Sequence, residues 1–150
     1  MSQTPLLTGQ DIAEAYGAVE AQLERVLTPT GIARHEYVVL RVLAGRPFES
    51  PASLHEYLAA QRQLALTPAA VSELLAGLQA RALTTGTAKN DPGPAQLTPD
   101  GAELLRNLTE TVAPTTREVF AGIAPEDLAT AHRVLRQIID HAARARENAD

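Results

Sequence analysis

The stretch from Ser53 to Gly101 constrains the fold more than any other part of the chain. Leu54, Leu58 and Ala59 suit a short helix. Thr67-Pro68 then opens a second one, with Val71, Leu74, Leu75 and Leu78 spaced to lie on its buried side. Proline is well suited to that first helical position, where its missing N–H would have no partner anyway. Leu83 begins an extended arm, and Asp91-Pro92-Gly93-Pro94 reads as a tight reversal. The return arm runs into Leu97-Thr98-Pro99-Asp100-Gly101, which repeats the Thr-Pro helix start. The order is helix, turn, helix, short hairpin, helix.

The flanks are helical. Thr8 is an N-cap, with Asp11 in a capping-box relationship. Ile12, Tyr16, Val19, Leu23 and Val26 follow as a single apolar stripe, ended by Thr28-Pro29-Thr30-Gly31. A second helix spans Arg34 to Ala44 and stops at Gly45-Arg46-Pro47. Ser50 or Ser53 caps the third. Leu104, Leu105, Leu108 and Val112 carry the fifth, which Pro114 is expected to kink or end. A sixth starts at Pro125-Glu126-Asp127 and carries Leu128, Ala131, Leu135, Ile138 and Ala142. The polar tail from Arg144 to Asp150 is expected to fray.

This plan resembles the winged helix-turn-helix of the MarR family of transcription regulators. The resemblance runs from about residue 10 to residue 145. It rests on Glu36-Tyr37-Val38-Val39-Leu40, on Val71-Ser72 and Leu78, and on Leu97-Thr98-Pro99-Asp100-Gly101 after the wing. It implies a mainly α fold with a small β-hairpin wing and terminal dimerisation helices. Residues 8–45 and 99–147 are then scaffold and dimerisation helices, and residues 50–98 the winged lobe of a single domain. It also implies a homodimer, double-stranded DNA as a partner, and a small aromatic or amphipathic effector between scaffold and lobe. The stripes of the first and last helices independently ask for a partner chain, and such closure is usually two-fold.

Charge argues against a conventional reading surface. The net charge is −5, with twelve Arg and one Lys against eighteen acids. Affinity for DNA comes mainly from Lys and Arg on phosphates. Between Arg46 and Thr98 the bases are Arg46, Arg62, Arg81 and Lys89, cancelled by Glu49, Glu56, Glu73 and Asp91. The family follows its Val-Ser pair with Arg; here Glu73 stands there. The family's wing carries Asp-Arg-Arg; here it reads Asp91-Pro92-Gly93-Pro94 and is about two residues shorter. The turn Gln61 to Leu66 is about two residues longer than usual. DNA contacts are therefore expected from Arg62, Gln63, Thr67, Ser72, Arg81 and Lys89. The alternative is a scaffold that has lost DNA binding and binds or transforms a small molecule. Tyr16, Arg34, His35 and Tyr37 are the expected lining of an effector pocket.

Other chemistry finds no foothold. With no cysteine, thiolate metal sites and disulfides are excluded. His35, His55, His132 and His141 lack metal-ligand spacing, so neither a metal nor a cofactor is expected. No nucleophile elbow or phosphate loop occurs. Any acid–base chemistry would fall to His35, Glu36 and Tyr37. No apolar run reaches the ~18–20 residues that span a bilayer. Met1-Ser2-Gln3-Thr4 opens no secretory signal, so a cytoplasmic protein is expected.

Overall fold

The computed structural model describes residues 3–150; Met1 and Ser2, where the reading of the N-terminus began, lie outside the described residues. Six helices and one small hairpin follow in the expected order. The helices are α1 (Gly9–Leu27), α2 (Arg34–Gly45), α3 (Pro51–Ala60), α4 (Pro68–Ala80), α5 (Pro99–Phe120) and α6 (Pro125–Ala149). Strands β1 (Thr84–Thr85) and β2 (Gln96–Leu97) pair antiparallel, with Thr84 opposite Leu97. The chain divides into two compact units, Met1–Thr115 and Thr116–Asp150.

The starts of the helices follow local chemistry. Thr8 caps α1, its hydroxyl accepting from the Asp11 amide at 3.2 Å while the Asp11 carboxylate accepts from the Thr8 amide at 2.8 Å. Of the two serines, Ser50 is the cap of α3, and its hydroxyl accepts from the Ser53 amide. Thr67 caps α4 through the Ala70 amide at 3.1 Å. Single-turn 3-10 segments, Thr28–Thr30 and Arg62–Leu64, fill the links before α2 and α4.

The core of the first unit lies between α2, α3 and α4. Val39, Leu40, Leu54, Leu58, Val71, Leu75 and Leu78 are fully buried there, with Leu27 of α1 and Leu108 of α5 closing the ends. Full burial of one such side chain is worth ~1.5–3 kcal/mol. This cluster therefore fixes α4 against α2 and α3, and with it the geometry of the helix-turn-helix.

Of the two outcomes expected at Pro114, a kink or an end, the end does not occur: α5 continues to Phe120, and the boundary between the units falls just beyond the proline. Proline removes one ladder hydrogen bond, and a 22-residue helix retains the others on either side. The tail does not fray either: α6 runs to Ala149. Its last turns are rich in Ala and Arg, strong helix formers, and Arg146 complements the negative helix end.

The wing is more tightly built than its sequence suggests. Its strands are only two residues long because Ala95 turns to a different partner. Ala95 and Phe48 exchange both backbone hydrogen bonds, at 2.8 and 2.9 Å, so the α2–α3 link acts as a third strand. Gly101, in the first turn of α5, lies against the Leu83 carbonyl, where a Cβ would collide. The Thr98 amide donates to that same carbonyl at 3.1 Å, which fastens the end of the wing to the start of α5.

Candidate nucleic-acid interface

Helix α4 presents Pro68, Ala69 and Glu73 to solvent, opposite the buried face of Val71, Leu75 and Leu78. Its C-terminal end is closed by a paired-bond motif. The Leu83 amide donates to the Leu78 carbonyl at 3.1 Å and the Ala82 amide to the Gln79 carbonyl at 2.9 Å. Ala82 takes φ +59°, a left-handed value that glycine normally supplies. Ala65, just before α4, does the same at φ +52°.

The six expected DNA-facing residues have different degrees of freedom. Arg62 and Lys89 are exposed, and neither makes an ion pair among the described residues. Arg81 is exposed but reaches the Glu36 carboxylate on α2 at 3.2 Å. Glu36 also accepts from the Ala33 amide, so that pair braces α2 against the end of α4. The Thr67 hydroxyl is engaged in capping α4. Gln63 donates to the Gln61 side chain at 3.1 Å. Ser72 is half-buried, its hydroxyl 3.5 Å from His55 Nδ1.

The effector candidates separate into two sets. Tyr16 donates from its hydroxyl to the Gln63 carbonyl at 2.9 Å, linking α1 to the turn before α4. Arg34 pairs with Glu20 of α1, and its guanidinium donates to His35 Nε2 at 3.2 Å. Partial burial, then the neighbouring Arg34 charge, hold the His35 pKa below its ordinary value; the Leu64 backbone opposes them more weakly. These residues lie around one junction of α1, α2 and the Arg62–Leu64 turn. Tyr37, by contrast, is buried in the core, with the Arg41 guanidinium 5.6 Å from its ring centre. An open cleft of about 310 Å³ lies beside the junction, lined by Glu24, Leu27, Ile32, Arg34 and Glu36 among others. A second, of about 360 Å³, lies between α2, β2 and the start of α5.

One polar network escaped the sequence reading. Gln79 of α4, Thr87 of the wing and His55 of α3 are joined by hydrogen bonds. The dense Thr84-Thr85-Gly86-Thr87 run was its only visible signal. Among the described residues no group of acids and histidines is gathered to hold a metal. Among the described residues no helix is long and apolar enough to cross a membrane.

No sequence-family model and no curated protein matches the chain. Solved structures do. The MarR family protein Rv2887 of Mycobacterium tuberculosis, solved in complex with DNA, is 26% identical. The match covers 91% of this chain and 98% of that one, with a TM-score of 0.64. The transcriptional regulator PA3341 is 24% identical, with the same two coverages and a TM-score of 0.73. CouR of Rhodococcus jostii RHA1, bound to p-coumaroyl-CoA, is 22% identical over 85% of this chain and 87% of its own, at TM-score 0.67. The chain has the MarR fold. Within the MarR plan, α4 stands at the recognition helix and the β1–β2 hairpin at the wing. In this chain the lobe around α4 has a closed apolar core, while its Lys and Arg are balanced by acids.

Proposed function

We propose that the chain is a ligand-responsive, MarR-type DNA-binding transcription regulator with a weakly charged reading face. The observation that carries this reading is the intact helix-turn-helix and wing, similar over nearly the whole chain to a protein solved on DNA. In this reading Arg62 and Lys89 supply the principal phosphate contacts. Gln63 lies in the turn before the recognition helix, and Thr67 and Ser72 at its start, where base edges are read. Arg81 joins them only by exchanging Glu36 for phosphate.

The chain works as a homodimer. Helix α6 has 25 residues, none of them buried within one chain. Leu135, Ile138 and Ile139 stand 37–49% exposed on it. A helix this apolar on one side needs a partner surface, and two-fold closure between copies supplies one. Sedimentation at micromolar concentration is expected to show twice the 16.0 kDa chain mass. A folded monomer for the unaltered chain would contradict this.

The effector binds at the junction of α1, α2 and the turn before α4. Tyr16, Arg34 and His35 are its polar contacts, and Tyr37 supports them from the core. A ligand that takes the Tyr16 hydroxyl or the Arg34 guanidinium competes with Gln63 or Glu20 and so shifts the turn that leads into α4. The similarity to a protein solved with p-coumaroyl-CoA supports an aromatic acid or its thioester as the class to test.

The experiment titrates p-coumarate and its CoA thioester with and without the promoter DNA beside the gene. Equilibrium coupling is reciprocal, so each partner must weaken the other by the same factor, ~5–150-fold. Ligand binding or turnover with no sequence-specific DNA binding would instead support the repurposed scaffold, a reading favoured by the neutral lobe.

A further inference from the structure

The wing's strands pair over only two residues each, too little for a hairpin to hold its own position. The Phe48–Ala95 bridge and the Thr98 amide hold its return arm, and the loop between the strands, which carries Lys89, is fastened separately. The side-chain amide of Gln79, in the last turn of α4, meets the wing at four points. Its Oε1 accepts from the Thr87 amide at 2.9 Å, the Thr87 hydroxyl at 2.8 Å and the Ala88 amide at 3.1 Å. Its Nε2 donates to the Asp91 carboxylate at 2.5 Å. Thr87 is fully buried and is the node of the arrangement. Its hydroxyl lies 2.9 Å from that of Thr84, and His55 of α3 donates from Nε2 to its carbonyl at 3.0 Å.

We propose that Gln79 is the positioning residue of the wing: it fixes the loop that carries Lys89 to the recognition helix, so that helix and wing meet a duplex as one body. An amide suits this position because the wing offers two backbone N–H donors on one side and a carboxylate acceptor on the other. Apolar residues could satisfy neither, and a glutamate would set two carboxylates against each other. The consequence for DNA rests on the regulator reading; the clamp itself does not. Gln79 contacts no DNA in this account and acts through Lys89.

Amide hydrogen exchange on the full-length protein tests the clamp. In Gln79→Leu the Thr87 and Ala88 amides are expected to exchange at least ~10-fold faster, while those of Leu74 to Leu78 keep their protection, because local opening is then confined to the wing. Gln79→Glu keeps an acceptor for those amides but sets its carboxylate against Asp91, and that repulsion should also speed their exchange, by a smaller factor. Adding Asp91→Asn to it reverses the donor and acceptor and should restore protection, a rescue that general loss of packing would not give. If Gln79→Leu does not fold, the Gln79→Glu and Gln79→Glu/Asp91→Asn pair decides alone. Unchanged exchange at Thr87 and Ala88 in the single variants, or no recovery in the double, overturns the proposal. On DNA, releasing Lys89 from each subunit should make the log–log salt slope shallower by ~2 per dimer. A wild-type protein that binds no DNA would overturn the regulator reading and leave the clamp to be judged by exchange.

Discussion

Glu73→Arg reverses the charge on the exposed face of the recognition helix without disturbing a contact. The Glu73 side chain is exposed and forms no hydrogen bond or ion pair among the described residues. Fold stability should therefore stay within ~0.5 kcal/mol of wild type, as for other surface changes. DNA affinity should not. Each phosphate neutralised on B-DNA adds ~0.9 to the salt slope, so one new contact in each of two subunits steepens it by ~1.8. Extrapolated from a 1 M reference, that is a gain of ~60-fold in affinity at ~0.1 M salt. Loss of the repulsive carboxylate adds to this figure. Fluorescence anisotropy on non-specific duplex, from ~50 to ~200 mM salt, measures both quantities. No change in affinity or salt slope from Glu73→Arg would refute the assignment of α4 to the groove.

Three further outcomes follow from the geometry. Gly101→Ala should destabilise the protein by ~1–3 kcal/mol by calorimetry, because its Cβ meets the Leu83 carbonyl; a gain of stability, as helix propensity alone would give, would contradict that close approach. Ala82→Gly should stabilise by about 1 kcal/mol in urea melts, since it removes a side chain from a left-handed position. His35 has a lowered pKa in the folded state. The unfolded chain then binds the proton more readily, so stability should fall as pH drops through the ordinary histidine value near ~6.5 and level off below the folded value. His35→Gln should flatten that part of the stability–pH curve, and an unchanged curve would remove His35 as its source.

The helices were legible because their boundaries are written in local chemistry. Thr8, Thr67 and Pro125 mark their starts, and the apolar spacing of α4 gave the buried face that is seen. Ala65 and Ala82 were invisible because alanine gives no sign of a left-handed backbone. The Ala95–Phe48 bridge was illegible for another reason: it joins the return arm to a segment far away in sequence, around Phe48, that does not read as a strand. At the candidate interface, residue type identified Arg62 and Lys89 as cations. It could not tell that Arg81 would be engaged by Glu36, or that the Thr67 hydroxyl would cap its own helix. Such commitments depend on side chains brought together only by the fold. The network around Gln79 is the clearest case, since no motif announces an amide between two helices and a loop.

The salt dependence of wild-type binding to the promoter DNA beside the gene tests the central claim most directly. With two or three cations available per subunit, a dimer neutralises ~4–6 phosphates, and the log–log slope should be roughly −4 to −5. Binding should prefer that sequence over unrelated duplex. A slope near −10 would contradict the weakly charged reading face. Equal affinity for all sequences, or no binding even at ~50 mM salt, would contradict the regulator itself.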